Sequence, residues 1–583
     1  MSVIEVPEVL KVSEGVQAPK ISPGRRAQHS GDKIASILSK TGAAQSGKVP
    51  SLRGLAREVG VAESTIRYWM NRKSKHHLDA QTVAFLESPA GVRFLQRQMV
   101  AQHFVFGLMG GCGPSLHRYF LQLTGLHTFV ACSNTTLRSL MRKLLDTVVT
   151  WGDQAKTDLA KTMPLRKVSL GVDETFFADM VLVAMDVAAG FIISEKSSAH
   201  RDTDTWEEHV RSGVKGLNVE LVQVVGDGAK ALNALAKDRL KIPKIDDLWH
   251  GQSAITRGTS AALASKVKAA DTKLDQVCKD WGQIVSSRKK YDQQTHGRGR
   301  PPAWAAREVR AQQEADAAES ALYRAIENQD AVQKCVCDLG IILHPVDLKT
   351  GELQDATKVQ SELQKTFDRV EIVVKEAGLG ERSQAAVRKA KRLLPSWVAS
   401  VNQWHEMLKN CLSDMKLTAA VLALFHNVLI PLLYLQRVIG QTRDTERRKE
   451  LQKVQEKLHG VFMESAGIWQ ALPAELRRSL LAVAQDCVDL FQRSTGCVEG
   501  RNGVLSLHQH QMRGLNPQAL TALTVVHNFV NTRCDGSTAA LRFFGRAPDK
   551  PLFEHLCQVL PLPTRPRKRL RRPVVNLIIA SAA

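Results

Sequence analysis

The sequence is poor in aromatic residues, which make up 5% of its 583 positions, although 44% hydrophobic content suits a globular chain. Its ten cysteines include no C-x-x-C pair, the nearest two being Cys335 and Cys337, so free thiols in a reducing, cytoplasmic setting are expected. The N-terminus, MSVIEVPEVLKVSEG, lacks a basic stretch followed by an apolar core, so no secretory signal is expected. Long apolar runs are scarce too. The longest, residues 419–435, contains His426, Asn427 and Pro431 and reads as a buried helix, so no membrane partner is expected. The glycine cluster GLMGGCGP at 107–114 lacks the G-K-[ST] of a phosphate loop and follows no strand, which leaves a helix–helix turn. Acidic charge is in deficit: 58 Asp and Glu face 80 Lys and Arg, a net +22. Such an excess points to a polyanionic partner through steering and counterion release. The length implies three or more domains.

What is present begins, after a mixed tail at 1–29, with SLRGLAREVGVAESTIRYWMNRK at 51–73. Apolar residues at Leu52, Leu55, Val59, Val61, Ile66 and Trp69 mark two amphipathic turns, with small Ala56 and Gly60 between them. This pattern resembles the helix-turn-helix family. The resemblance implies a DNA-binding domain over 30–77, with Ser64, Arg67 and Tyr68 presented outward and Arg72 and Lys73 beside phosphates. Any αα-hairpin of a bundle is the plainer alternative. Residues 78–164 read as helical, either a packed linker or a second DNA-binding hairpin exposing Arg138, Arg142 and Lys143.

The strand signals concentrate in 165–256. KVSLGVDETFF at 167–177 delivers Asp173 and Glu174 at the end of an apolar-alternating strand. Residues 179–190 and 191–194 read as second and third strands, 203–216 as a helix around Trp206 and Val210, and 221–225 as a fourth strand stopping at Asp227. A helix from Ala229 and a short edge element at 246–252, carrying His250, follow. Carboxylates at the ends of buried strands are costly unless compensated, which suggests a divalent-metal nuclease centre. The order β-β-β-α-β-α-β matches a ribonuclease-H-like topology better than a doubly wound sheet, which would insert a helix after every strand.

From 257 to 491 strand signals nearly vanish, and 264–291 with 304–336 read as an antiparallel helical hairpin. In its joining loop, Arg298-Gly299-Arg300-Pro301 resembles the AT-hook core, which lays an arginine pair into a narrow minor groove. A polar turn is the preferred reading of so short a match. STGCVEGRNGVLSL at 494–507 carries Glu499, Arg501 and Asn502 in a helix-capable segment, DGSTAALRFFG at 535–545 reads as a capped turn, and 547–583 as a basic tail.

Taken as an ordered set, Asp173, Asp227 and Glu499, with the D-x-W-H of 247–250, the C-V-E-G-R-N of 497–502 and the 535–545 stretch, resemble the DDE transposases of insertion sequences. The resemblance implies a mixed fold: a ribonuclease-H-like α/β catalytic core (165–256 with 492–546) interrupted by an all-α insertion at 257–491 and preceded by helical DNA-binding domains. It implies that Asp173, Asp227 and Glu499 hold two Mg2+ (or Mn2+), that double-stranded DNA, both element ends and target, is the partner, and that the protein is at least a dimer on DNA. Cytoplasmic, nucleoid-associated placement follows if the source is bacterial. Glu174, Asp186, Asp246 and Asp247 read as helix caps or surface charges. His250 either orients a phosphate or, as preferred, packs; Arg501 and Asn502 are possible accessory residues. The rival readings are a transposase-derived DNA-binding regulator without catalysis and a related metal-dependent nuclease or resolvase.

Overall fold

The computed structural model describes residues 36, 37, 40, 51–73, 80–177, 180–297, 299–413, 415, 417–512 and 515–563. Arg298 lies outside them, as do the side chains of Tyr68, Arg72 and Lys73. The chain divides into two units, Met1–Thr147 with Phe553–Ala583, and Val148–Leu552.

In the first unit, helix α1 (Leu52–Val59) starts at Ser51, whose Oγ accepts from the Gly54 amide at 3.1 Å and satisfies one orphan N–H of the helix start. It ends at Gly60 with φ +63, a left-handed conformation that costs a residue with a Cβ. The Val61 amide closes back on the Ala56 carbonyl at 3.2 Å, and α2 (Glu63–Lys73) follows. Leu55, Val61 and Ile66 bury together with Ile37, which leaves Ser64 and Arg67 exposed. Four more helical segments, up to the first half of α3 (Asn134–Ala160), pack around Leu95, Met99, Leu121, Phe129 and Leu137. The glycine cluster forms a turn between two of them, before Pro114. The segment expected as a basic tail opens with a packed helix, Leu552–Val559, in which Glu554 pairs with Arg97 at 2.6 Å.

The second unit contains one mixed five-stranded sheet in the order β3-β2-β1-β4-β5: β1 (Arg166–Phe176), β2 (Met180–Asp186), β3 (Phe191–Ser198), β4 (Val219–Gly226) and β5 (Lys244–Asp246). The first three strands pair antiparallel, and β4 and β5 continue parallel to β1. Helix α4 (Thr203–Val214) joins β3 to β4, and α5 (Lys230–Ala234) leads towards β5. Both faces are covered, and the period of two sorts the residues between them. Leu182 and Ala184 face Trp206 and Val210, whereas Val181, Val183 and Met185 face Val498, Leu505 and Leu520.

Four elements differ from expectation. β1 does not end at Asp173 but stays paired with β2 as far as Phe176, and β2 stops at Asp186, with a turn at 187–190 before β3. β3 runs to Ser198 because the polar Ser194–Ser198 half still pairs with β2, Met180 standing opposite Ser198. The expected edge element at 246–252 is a strand only as far as Asp246. From Leu248 the chain is helix α6 (Leu248–Asp292), so His250 sits in a helical first turn. With α7 (Trp304–Ile342), α6 forms a helical hairpin packed through Val277, Ala315 and Ala318. Helices then continue to α9 (Ala474–Leu490) around a core of their own. α8 (Ala419–Gln441) is long and apolar enough to cross a membrane, yet its Val421, Phe425, Leu429, Ile430 and Leu435 bury in that core. α10 (Gly496–Met512) and α11 (Pro517–Phe529) return the chain to the sheet.

Candidate active site

β1 and β4 run parallel with Gly171 opposite Val225. Two residues further on, Asp173, still paired with Val183 inside β1, and Asp227, just past the end of β4, stand level with one another at the carboxyl edge of β4, where open α/β sheets hold their ligands. β1 is buried from Val168 to Val172, and Asp173 is the first residue after that run to regain solvent. Alternation puts Asp173 on the face of Ser169 and Gly171, the face that α10 covers. Gly171 permits that cover: a Cβ there would stand 2.6 Å from Val187 Cγ2 and 3.1 Å from Val498 Cγ2.

The third carboxylate arrives through Asp247. This buried side chain caps α6 by accepting from the Trp249 amide at 2.7 Å. Its other oxygen accepts from the Thr495 amide at 3.0 Å and from the Thr495 hydroxyl. Thr495 in turn starts α10, its carbonyl accepting from the Glu499 amide at 3.0 Å. One carboxylate therefore joins the point where the helical insertion leaves to the point where it returns. That joint carries Glu499 in the first turn of α10, where the helix dipole favours negative charge.

The electrostatics register the convergence. The Asp173 carboxyl is pushed up to about 8, first by burial and then by the negative charges of Glu499 and Asp227. Asn502, one turn after Glu499, donates from Nδ2 to Asp173 Oδ2 at 2.7 Å. Asp227 Oδ1 accepts from the Ala229 amide at 2.9 Å, which fixes its rotamer. His250 Nε2 lies 3.8 Å from Glu499 Oε1, beyond hydrogen-bond reach, and is buried without a partner, as is Asn502 Oδ1. Among the described residues no three acidic, imidazole or thiol groups close on a single point. What fits a hard divalent cation is the donor set, three carboxylates and an amide oxygen.

The remaining expected residues divide. Arg501 points into the fold: its guanidinium forms a bidentate pair with Glu195 of β3 at 2.8 and 2.6 Å, both side chains almost wholly buried. Glu174 is neither a cap nor a free surface charge, since Arg201 holds it at 2.7 Å. Asp186, expected as a cap or surface charge, is fully buried and paired with Arg166 at 3.1 Å. Asp246 pairs with Lys244 at 2.7 Å, and Asp247 is indeed a cap. In the first unit Ser64 is exposed, and Arg67 is held by Glu63 at 2.6 Å, a carboxylate that Arg53 also reaches at 3.3 Å. Arg300 is exposed in the loop between α6 and α7. Glu195 and Thr495 went unnoticed in the sequence. A lone glutamate in a strand and a threonine before a helix carry no spacing signal.

Residues 425–572 match the Family of unknown function (DUF6399). The match spans α9, α10 and Glu499 but neither Asp173 nor Asp227. Among curated proteins, none matches the chain.

Proposed function

We propose that the protein is a DNA transposase, a metal-dependent strand transferase in which Asp173, Asp227 and Glu499 hold two Mg2+ (or Mn2+). The observation that carries this reading is the placement of the three carboxylates near one sheet edge, with Asp173 pushed up to about 8 by burial first and then by the charges of Glu499 and Asp227. Like charges about 4 Å apart repel by on the order of 4 kcal/mol at an effective dielectric of 20, so such a cluster favours a cation. Bound there, the ions would lower the pKa of an attacking water or hydroxyl and neutralise charge building on a phosphodiester. The chain's own residues do the positioning. Asn502 orients Asp173, Asp247 locks the joint that brings Glu499 to the strands, and His250 offers an unpaired Nε2 beside Glu499 to a scissile phosphate.

The succession β-β-β-α-β-α-β supports reading 165–256 with 492–546 as a ribonuclease-H-like core interrupted at 257–491. The α1–α2 hairpin, closed by Gly60, supports a helix-turn-helix that reads element ends. In the same reading target DNA meets the sheet edge, and the active form on DNA is at least a dimer.

The test is cleavage and joining, in Mg2+ or Mn2+, of labelled duplexes carrying the DNA that flanks the gene, searched first for terminal inverted repeats. Asp173→Asn, Asp227→Asn and Glu499→Gln should each abolish both reactions and leave DNA binding intact, while Glu174→Gln retains activity. Full activity in Glu499→Gln would overturn the triad.

A further inference from the structure

Where the insertion rejoins the core, a second concentration of charge lies that the proposed chemistry leaves unused. A cavity of about 110 Å3 opens between the end of α7, the last turns of α8 and the segment after α9, with Arg437, Gln441, Arg493 and Ser494 in its wall. Arg493 donates from Nη1 to the carbonyls of Gly340 and, at 3.4 Å, Leu343. Arg437 donates from Nη1 to the carbonyls of Val488 and, at 3.1 Å, Phe491. Both sets of carbonyls end helices, α7 and α9, and a helix C-terminus carries roughly half a negative charge. Two full positive charges therefore meet about one negative charge, and a guanidinium does not escape burial by losing its proton.

Among the described residues no carboxylate makes up the difference. The charges bearing on Arg493 are those of Arg437 and Arg447, and burial with these two cations pulls its pKa down against Tyr434 alone. Among the described residues none of the three arginines forms an ion pair with an acid. His344 on the same wall is held neutral, its pKa well below the usual range, by burial and then by Arg493. Its Nδ1 and the Tyr434 hydroxyl share a hydrogen bond at 2.6 Å. Ser494 Oγ accepts from the Gly496 amide at 3.2 Å, which leaves its O–H free to donate.

We propose that this cavity binds a phosphate-sized oxyanion, gripped by Arg437 and Arg493 and completed by Ser494 and Gln441. The anion is either free phosphate or the terminal phosphate of a DNA strand; the chemistry of capture is the same. Ser494 immediately precedes Thr495, which starts α10, so occupancy would stiffen the segment that presents Glu499.

The experiment titrates inorganic phosphate into the full chain by calorimetry, in phosphate-free buffer at constant ionic strength set with chloride. The parent should bind saturably at one site. Gln441→Glu places a resident carboxylate in the cavity while keeping both arginine caps, and should weaken phosphate binding at least tenfold without altering binding to a duplex that has 5′-hydroxyl ends. Arg437→Gln should weaken it similarly. Phosphate affinity unchanged in both variants overturns the proposal, as does a parent that responds neither to phosphate nor to a 5′-phosphorylated duplex end. Displacement of phosphate by a 5′-phosphorylated duplex, and not by its 5′-hydroxyl twin, identifies a strand terminus as the source; displacement by neither identifies the free anion.

Discussion

At the scale of the residue, Asp173 is the group whose chemistry is most constrained. In the unfolded chain it ionises near 3.8, whereas in the metal-free fold it keeps its proton up to about 8. Between those values the native state binds one proton more than the unfolded state, so this group makes stability fall as pH rises through the window. Asp173→Asn removes the titration. The variant should melt above the parent at pH 8 to 9 and show a flatter pH profile from pH 4 upward. A parent whose melting temperature is flat over that window would contradict the raised pKa. A divalent cation must displace the same proton. Mg2+ affinity should therefore climb with pH, approaching tenfold per unit, and level off near pH 8. Calorimetry in two buffers of different ionisation enthalpy reads the released proton directly.

At the scale of the element, the decisive contacts join segments far apart in the chain. Asp247→Ala leaves the Thr495 amide and hydroxyl and the Trp249 amide without their acceptor, a cost on the order of 3 kcal/mol. Because those bonds hold the start of α10, turnover should drop by far more than DNA affinity. Equal loss of both would make Asp247 a stability residue alone. Glu195 and Arg501 pin α10 to β3, with Thr524 of α11 donating to the same carboxylate at 2.6 Å. Glu195→Ala strands a buried guanidinium and should cost about 3–5 kcal/mol, whereas replacing both partners by apolar residues of similar volume should cost much less. Chemical denaturation of the two singles and the double closes that cycle. A double mutant as unstable as the singles together would show that the pair is not coupled.

At the scale of the whole molecule, the net charge of +22 would, in the function proposed above, set how the protein meets DNA. The logarithm of its affinity should fall linearly with the logarithm of salt concentration, as phosphate contacts release counterions. In the proposed helix-turn-helix, recognition would depend on a pairing within the first unit, since Arg67 on the exposed side of α2 is held by Glu63. Glu63→Gln should raise DNA affinity several-fold at low salt by releasing Arg67 and deleting a repulsive charge. Arg67→Ala should cost about 1–3 kcal/mol on the specific site and little on random duplex. Gel-shift titrations on both duplexes decide it, and equal losses would reduce Arg67 to a phosphate contact.

The sequence by itself determined what is local. Alternation in 167–177 and 221–225 marked β1 and β4, and with them Asp173, which lies inside β1 and not at its end, and Asp227, which follows β4. The apolar spacing around Gly60 marked the α1–α2 hairpin. Helical periodicity separated the 257–491 stretch from the strand block, although α6 begins at Leu248 because its Asp247 cap lies before the pattern becomes obvious. Tertiary structure decided the rest. Arg501 and Asn502 are neighbours on one helix, yet one is buried against Glu195 and the other meets Asp173, a division set by the packing of α10 on the sheet. Asp186 looks like any turn aspartate until Arg166 is brought beside it. Periodicity records which way a side chain faces within its own element, and no pattern in the chain records which distant element comes to face it. That choice is made when the cores close, and here Asp247, bonded across the whole insertion to Thr495, and the buried Glu195–Arg501 pair both record it.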